Sequence, residues 1–153
     1  MSVRFTMTLV AFAALSALSC SSSSSTVGAT DLSHFTGPTW SGSETISVNC
    51  SGTVTNNNIV GKWSLQASGT SGLTYSSTSG CTYDFAVVGD TATLTNAPVV
   101  CSGTSATGAA VISTYEHYTL TTSDGVHLTG SNDGTLASGG TNCTFNHTIS
   151  ATR

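Results

Sequence analysis

The chain has 153 residues and a formal net charge of −4, from three Lys and Arg against seven Asp and Glu, so charged residues make up only 7% against about a quarter in an ordinary soluble domain. Serine and threonine instead supply 26 and 28 residues, with 16 Gly beside them. This composition excludes a coiled coil or helical bundle, a nucleic-acid binder, which needs a basic face against phosphates, and a second domain.

Residues 1–19 read as an export signal. One cation, Arg4, precedes an apolar run from Phe5 to Leu18, which is shorter than the ~20 residues a helix needs to span the bilayer core. The stretch Leu15-Ser16-Ala17-Leu18-Ser19-Cys20 is similar to a lipobox, with Ala17 standing where Leu is usual. Cys20 is therefore the expected lipidation site and new N-terminus, and the membrane is a partner through that lipid. Ordinary signal-peptidase cleavage, leaving a secreted or periplasmic chain, is the alternative. Five serines at 21–25 begin a stretch, residues 20–36, expected to be a flexible tether. Ser21 is not the Asp that retains lipoproteins at the inner membrane, so the outer membrane is favoured. Beyond the signal the cations are Lys62 and Arg153.

From residue 37 to 153 a single all-β domain is expected. Trp40, Gly42, Glu44, Ile46, Val48 and Cys50 alternate with Ser41, Ser43, Thr45, Ser47 and Asn49, the period-two pattern of a half-buried strand. Ile59, Trp63 and Leu65 follow, after Asn56-Asn57-Asn58 as a turn. Cys81, Tyr83, Phe85 and Val87 lead through Gly89-Asp90 to Ala92 and Leu94. Residues 109–122 place Ala110, Ile112, Glu116, Tyr118 and Leu120 on one side. Val126 and Leu128 follow the turn at Asp124-Gly125, a short strand near Leu136 follows one at Asp133-Gly134, and Cys143, Phe145, His147 and Ile149 close the series after Ser138-Gly139-Gly140. That pattern gives seven or eight antiparallel strands, as a small β-barrel or, alternatively, a two-layer β-sandwich. No helical stripe is evident after the signal.

Cysteines 50, 81, 101 and 143 make an even set in an exported small domain, which points to two disulfides. Without C-x-x-C spacing, neither a zinc site nor a redox motif is expected, and no cofactor. Cys81–Cys101 would flank the Gly89-Asp90 hairpin, leaving Cys50–Cys143 to tie the first strand to the last. The sequential pairing, Cys50–Cys81 with Cys101–Cys143, is the alternative. Each bridge is worth on the order of 3–4 kcal/mol in a chain-entropy model.

Gly37-Pro38-Thr39-Trp40-Ser41-Gly42, Val48-Asn49-Cys50-Ser51-Gly52, Cys81-Thr82-Tyr83 with the hairpin to Cys101, and Cys143-Thr144-Phe145 through Arg153 carry a resemblance over residues 37–153. The chain resembles a group of small secreted or lipid-anchored proteins of Gram-negative soil bacteria. The resemblance implies fold and location only.

Alternation puts three polar residues on apolar faces: Glu44, Glu116 and His147. Burying an ionised carboxylate without partners costs several kcal/mol, so an internal hydrogen-bonded network is expected, with Tyr83 and Tyr118 as partners, or a bulge that turns some of the three outward. If the first and last strands adjoin, Glu44 and His147 come within reach of each other. A ligand or metal site is the alternative for these three groups. No Gly-x-Ser-x-Gly elbow occurs, His117 and His127 go with hydroxyl faces, and no catalysis is expected. Two function classes remain: an anchored binding module for a small ligand or envelope protein, and a structural surface protein without a discrete site.

Overall fold

The computed structural model describes residues 29–105 and 108–153. The expected export signal at 1–19, the expected lipidation site Cys20 and the serines at 21–25 lie outside the described residues. A short helix, α1 (Ala29–Phe35), precedes ten strands: β1 (Trp40–Cys50), β2 (Thr53–Trp63), β3 (Leu65–Ser68), β4 (Gly72–Ser76), β5 (Thr82–Val88), β6 (Thr91–Leu94), β7 (Val99–Thr104), β8 (Ala110–Thr121), β9 (His127–Ser138) and β10 (Thr141–Thr152). Every pairing is antiparallel, in the order β2-β1-β10-β9-β8-β6-β5-β4-β3, with β7 also on β8. The sheet curls into a half-barrel, the all-β architecture that the alternation implies.

The strand count exceeds the seven or eight expected because Gly72–Ser76 and Val99–Thr104 form strands that alternation did not mark and the strand expected over 59–65 is split, while the two strands expected on either side of Asp133-Gly134 are one. β6 and β7 both pair with one edge of β8, at Thr91–Thr93 and Val99–Thr104. Pro98, which has no N–H to give the ladder, lies in the gap between them. β2 and β3 are separated by Ser64 alone. These two consecutive strands are the opposite ends of the sheet, so the chain itself joins the two edges at Trp63–Leu65. The first and last strands do adjoin, Ser41 to Asn49 lying opposite Thr152 to Thr144. Their pairing lies inside the sheet, however, and does not seal its edges.

Two expected turns are strand. Asn56, Asn57 and Asn58 pair with Ser47, Ile46 and Thr45 inside β2, and the reversal falls at Ser51-Gly52, with φ of 53° and 88°. Two successive positive φ values are what a primed hairpin turn requires, and Asn49 Oδ1 accepts from the Gly52 N–H at 3.0 Å. Asp133-Gly134 lies in mid-β9, Gly134 facing Tyr115 of β8 and Phe145 of β10. A Cβ on Gly134 would overlap the Thr114 carbonyl oxygen, so this glycine serves close approach rather than a turn.

Within the stretch 20–36 expected to be coil, Ala29–Phe35 is helix. Phe35 is fully buried and Leu32 nearly so, against Trp40, Leu73, Val87, Ala92, Leu120 and Leu128. Burying a side chain such as Phe35 is worth about 1.5–3 kcal/mol, and no surface periodicity announces it. Trp40 Nε1 donates to the Phe35 carbonyl at 2.9 Å. Arg153 stacks its guanidinium on the Trp40 ring at 4.4 Å. It donates to the carbonyls of Ser33, His34 and Thr36 at the helix C-terminus and of Gly125 in the β8–β9 turn. A cation suits both the orphan carbonyls and the negative end of a helix.

The disulfides are Cys50–Cys143 and Cys81–Cys101, the nested pairing. The outer face carries hydroxyls in rows across the strands. One row runs Thr45, Thr148, Ser131, Thr119, Thr93 through successive pairs.

Candidate functional site

The concave face is packed at the α1 end and hollow towards its middle. Glu44 on β1 and His147 on β10 are diagonal neighbours, Glu44 lying opposite Ile149 and His147 opposite Ile46. His147 Nδ1 and Glu44 Oε1 are 2.5 Å apart, with side chains 10% and 19% exposed. The imidazole lies 4.8 Å from the Phe145 ring and meets Tyr115 edge-on at 6.2 Å.

Glu116 does not join them. A bulge between Tyr115 and His117 shifts the β8–β9 register, and one extra residue reverses the parity of a strand. Before the bulge Val111, Ser113 and Tyr115 are the less exposed positions, so Ala110 and Ile112 lie exposed; after it Tyr118 and Leu120 are buried. Glu116 and His117 both turn to the outer surface. There His117 Nδ1 meets Asp133 Oδ1 at 2.7 Å, and Glu116, His117 and Asp133 bring one ligand atom each within 4.8 Å of one another. His117 is raised above its ordinary pKa by that hydrogen bond and by the Asp133 and Glu116 charges. His127 is likewise exposed and meets Asp124 at 2.6 Å.

The bulge has a second consequence. Tyr115 and Tyr118, three apart in sequence, both point inward, towards Tyr83 at ring distances of 5.2 and 5.5 Å. Tyr83 stacks on Tyr75 across the β4–β5 pair at 5.6 Å, and its hydroxyl lies 3.4 Å from Cys101 Sγ. The curl brings these phenols to Glu44. Glu44, the four tyrosines, Trp63, Ser77, Ser79 and Asn132 enclose a cavity of about 130 Å³.

Burial raises the pKa of all four tyrosines, and the Glu44 charge adds to the rise for Tyr75, Tyr115 and Tyr118. Each phenol therefore keeps its proton at neutral pH and acts as a hydrogen-bonding group rather than a nucleophile. Asn132 sits in the same row as His147 and Tyr118. Its Oδ1 is buried without a partner, in a residue only 4% exposed.

A second hollow of about 270 Å³ adjoins the first through Tyr115 and is mostly apolar, walled by Ile46, Val48, Leu136 and Phe145 with His147 at its edge. A third depression, about 390 Å³, lies beside Gly42 between Ser43, Val60 and Ser150, with no ionisable group among the described residues that line it.

Of the three polar residues singled out by alternation, Glu44 and His147 come together and Glu116 stays apart. Tyr83 and Tyr118, the expected hydrogen-bond partners, line the cavity, with the Tyr83 hydroxyl beside Cys101 Sγ. Tyr75, Tyr115 and Asn132 were not picked out by the alternation. The Tyr115-Glu116-His117-Tyr118 spacing held the missing signal, since two aromatics three apart share a strand face only across a bulge. The chain matches no family model, no curated protein and no solved structure.

Proposed function

We propose that this chain is a non-catalytic binding module, a half-barrel tethered by lipid on Cys20 to the outer membrane, which holds a small polar ligand on its concave face. The observation that carries the reading is a polar cavity walled by Glu44, four tyrosines and Asn132, whose Oδ1 is buried without a partner. An unsatisfied buried acceptor costs about 1–3 kcal/mol, and turning the Asn132 amide towards a ligand that donates to it removes that cost. The Glu44 carboxylate and the protonated phenols add fixed groups that would orient such a ligand. Two disulfides suit an oxidising compartment outside the cytoplasm.

Native mass spectrometry of the protein extracted from its envelope tests both halves together. The expected spectrum has diacylglycerol mass on Cys20 and a retained small molecule that Asn132→Leu releases. A bare or differently cleaved N-terminus replaces tethering with secretion. A ligand-free spectrum, with no small molecule from the envelope extract restoring a mass shift, gives the structural surface protein instead.

A further inference from the structure

We propose that the cavity around Asn132 and Glu44 takes a primary ammonium group on a short alkyl chain. This rests on the binding-module reading and goes further by naming the chemical class.

The free valences in the cavity ask for a donor. Asn132 Oδ1 is buried and accepts nothing. Glu44 gives one carboxylate oxygen to His147 and lines the same space. An anion offers neither group a proton, whereas an ammonium has three N–H donors that can meet both and still reach a phenol oxygen. The field has the matching sign. Among the described residues no lysine or arginine lines the cavity, and the Glu44 charge adds to burial, the larger cause, in holding the protons of Tyr75, Tyr115 and Tyr118. The walls match as well. The rings of Trp63, Tyr75, Tyr83 and Tyr115 surround the space, and aromatic rings attract cations through their electron-rich faces. The size is restrictive. About 130 Å³ is roughly the share of four waters in the liquid, enough for an ammonium and a few methylenes.

The test is a titration of the full disulfide-bonded chain with four probes of similar size: n-propylammonium, tetramethylammonium, propionate and 1-propanol. Side-chain amide and aromatic resonances are followed by NMR. Propylammonium is expected to saturate and to move the Asn132 amide and Tyr115 ring signals. Tetramethylammonium, which has charge but no N–H, is expected to bind about tenfold more weakly or worse, because it leaves the acceptors unmet. Propionate should not bind. Glu44→Gln should weaken propylammonium about tenfold or more. Tyr75→Leu, on a strand near the sheet edge, supplies a second variant in case the first disturbs folding, and should also weaken it.

Equal binding of 1-propanol or propionate would overturn the ammonium assignment while leaving a ligand site in place. Tetramethylammonium binding as well as propylammonium would remove Asn132 from recognition and overturn the primary-amine part. Saturation that moves only Glu116, His117 and Asp133 signals, or no saturation by any probe, overturns the proposal outright. A ligand retained from the envelope would still support the broader reading in the last case.

Discussion

Glu44 and His147 stand 103 positions apart in the chain and meet at 2.5 Å across the pairing of the first and last strands. The contact needs β1 beside β10, and the Cys50–Cys143 bridge sits at the end of the same pair. One covalent link and one hydrogen bond thus pin the same seam. Along the concave face they divide the polar cavity from the apolar one, since Glu44 lines the first and His147 the second.

The pair is expected to be coupled energetically. Glu44→Gln and His147→Ala should each lower stability by about 1.5–3 kcal/mol, the range for a hydrogen bond to a charged group. The double variant should cost less than their sum, because the second change removes a partner already lost. Urea denaturation of all four proteins measures this. Strict additivity would show that the two side chains do not interact in solution.

This seam was legible in the sequence because it depends on parity and on cysteine placement. Alternation put Glu44 and His147 on inner faces, and nested cysteines placed β1 next to β10. What alternation could not carry was anything that changes parity or depends on distant packing. The bulge after Tyr115 moved Glu116 outside, and a single inserted residue leaves no compositional trace. Gly134 looked like a turn because glycine is read locally, while its actual constraint is the Thr114 carbonyl on a neighbouring strand. The helix over Ala29–Phe35 has seven residues, too few to be stable alone, and it is held by Arg153 from more than a hundred positions away.

Gly134 supplies a direct test of that close approach. Gly134→Ala places a methyl on the Thr114 carbonyl and near the Phe145 ring. Overpacking of this kind costs about 1–3 kcal/mol. The loss should be accompanied by faster amide exchange in β8 and β9 around the bulge, measured by NMR. Gly139→Ala, where a Cβ would meet nothing within 4 Å although φ is 56°, should leave those amides unchanged. If both variants affect the β8–β9 amides alike, close packing is not what selects glycine at 134.

Arg153 closes the packed end. Its guanidinium serves four carbonyls and covers Trp40. Arg153→Ala should therefore lower stability by about 2–3 kcal/mol, the scale of a charge-assisted bond and not the sum of four. It should also expose the α1 region to protease before the sheet unfolds. Arg153→Lys should recover only part of the loss, because an ammonium cannot present the planar fork that reaches several carbonyls at once. Full recovery by lysine would reduce the contact to its charge.

Two exposed histidine–carboxylate pairs give the fold opposite pH responses. His117 has a raised pKa, owing first to its hydrogen bond with Asp133. The folded state therefore binds the His117 proton more tightly than the unfolded state. Its contribution is complete below the unfolded value of about 6.5 and is lost as pH rises through the folded value. Asp124 is lowered, first by the His127 backbone N–H, then by the His127 side chain and the Val126 N–H. Here the unfolded state holds the proton better. The contribution is present above the unfolded carboxylate range and is lost as pH falls towards the folded value. Stability measured from pH 2 to 9 at low salt should show both limbs. Asp124→Ala should flatten the acid limb alone, and His117→Gln the limb above pH 6 alone. Both limbs should shrink in high salt, since these pairs face solvent. An acid limb that survives Asp124→Ala would assign acid sensitivity to another carboxylate and remove this turn as its source.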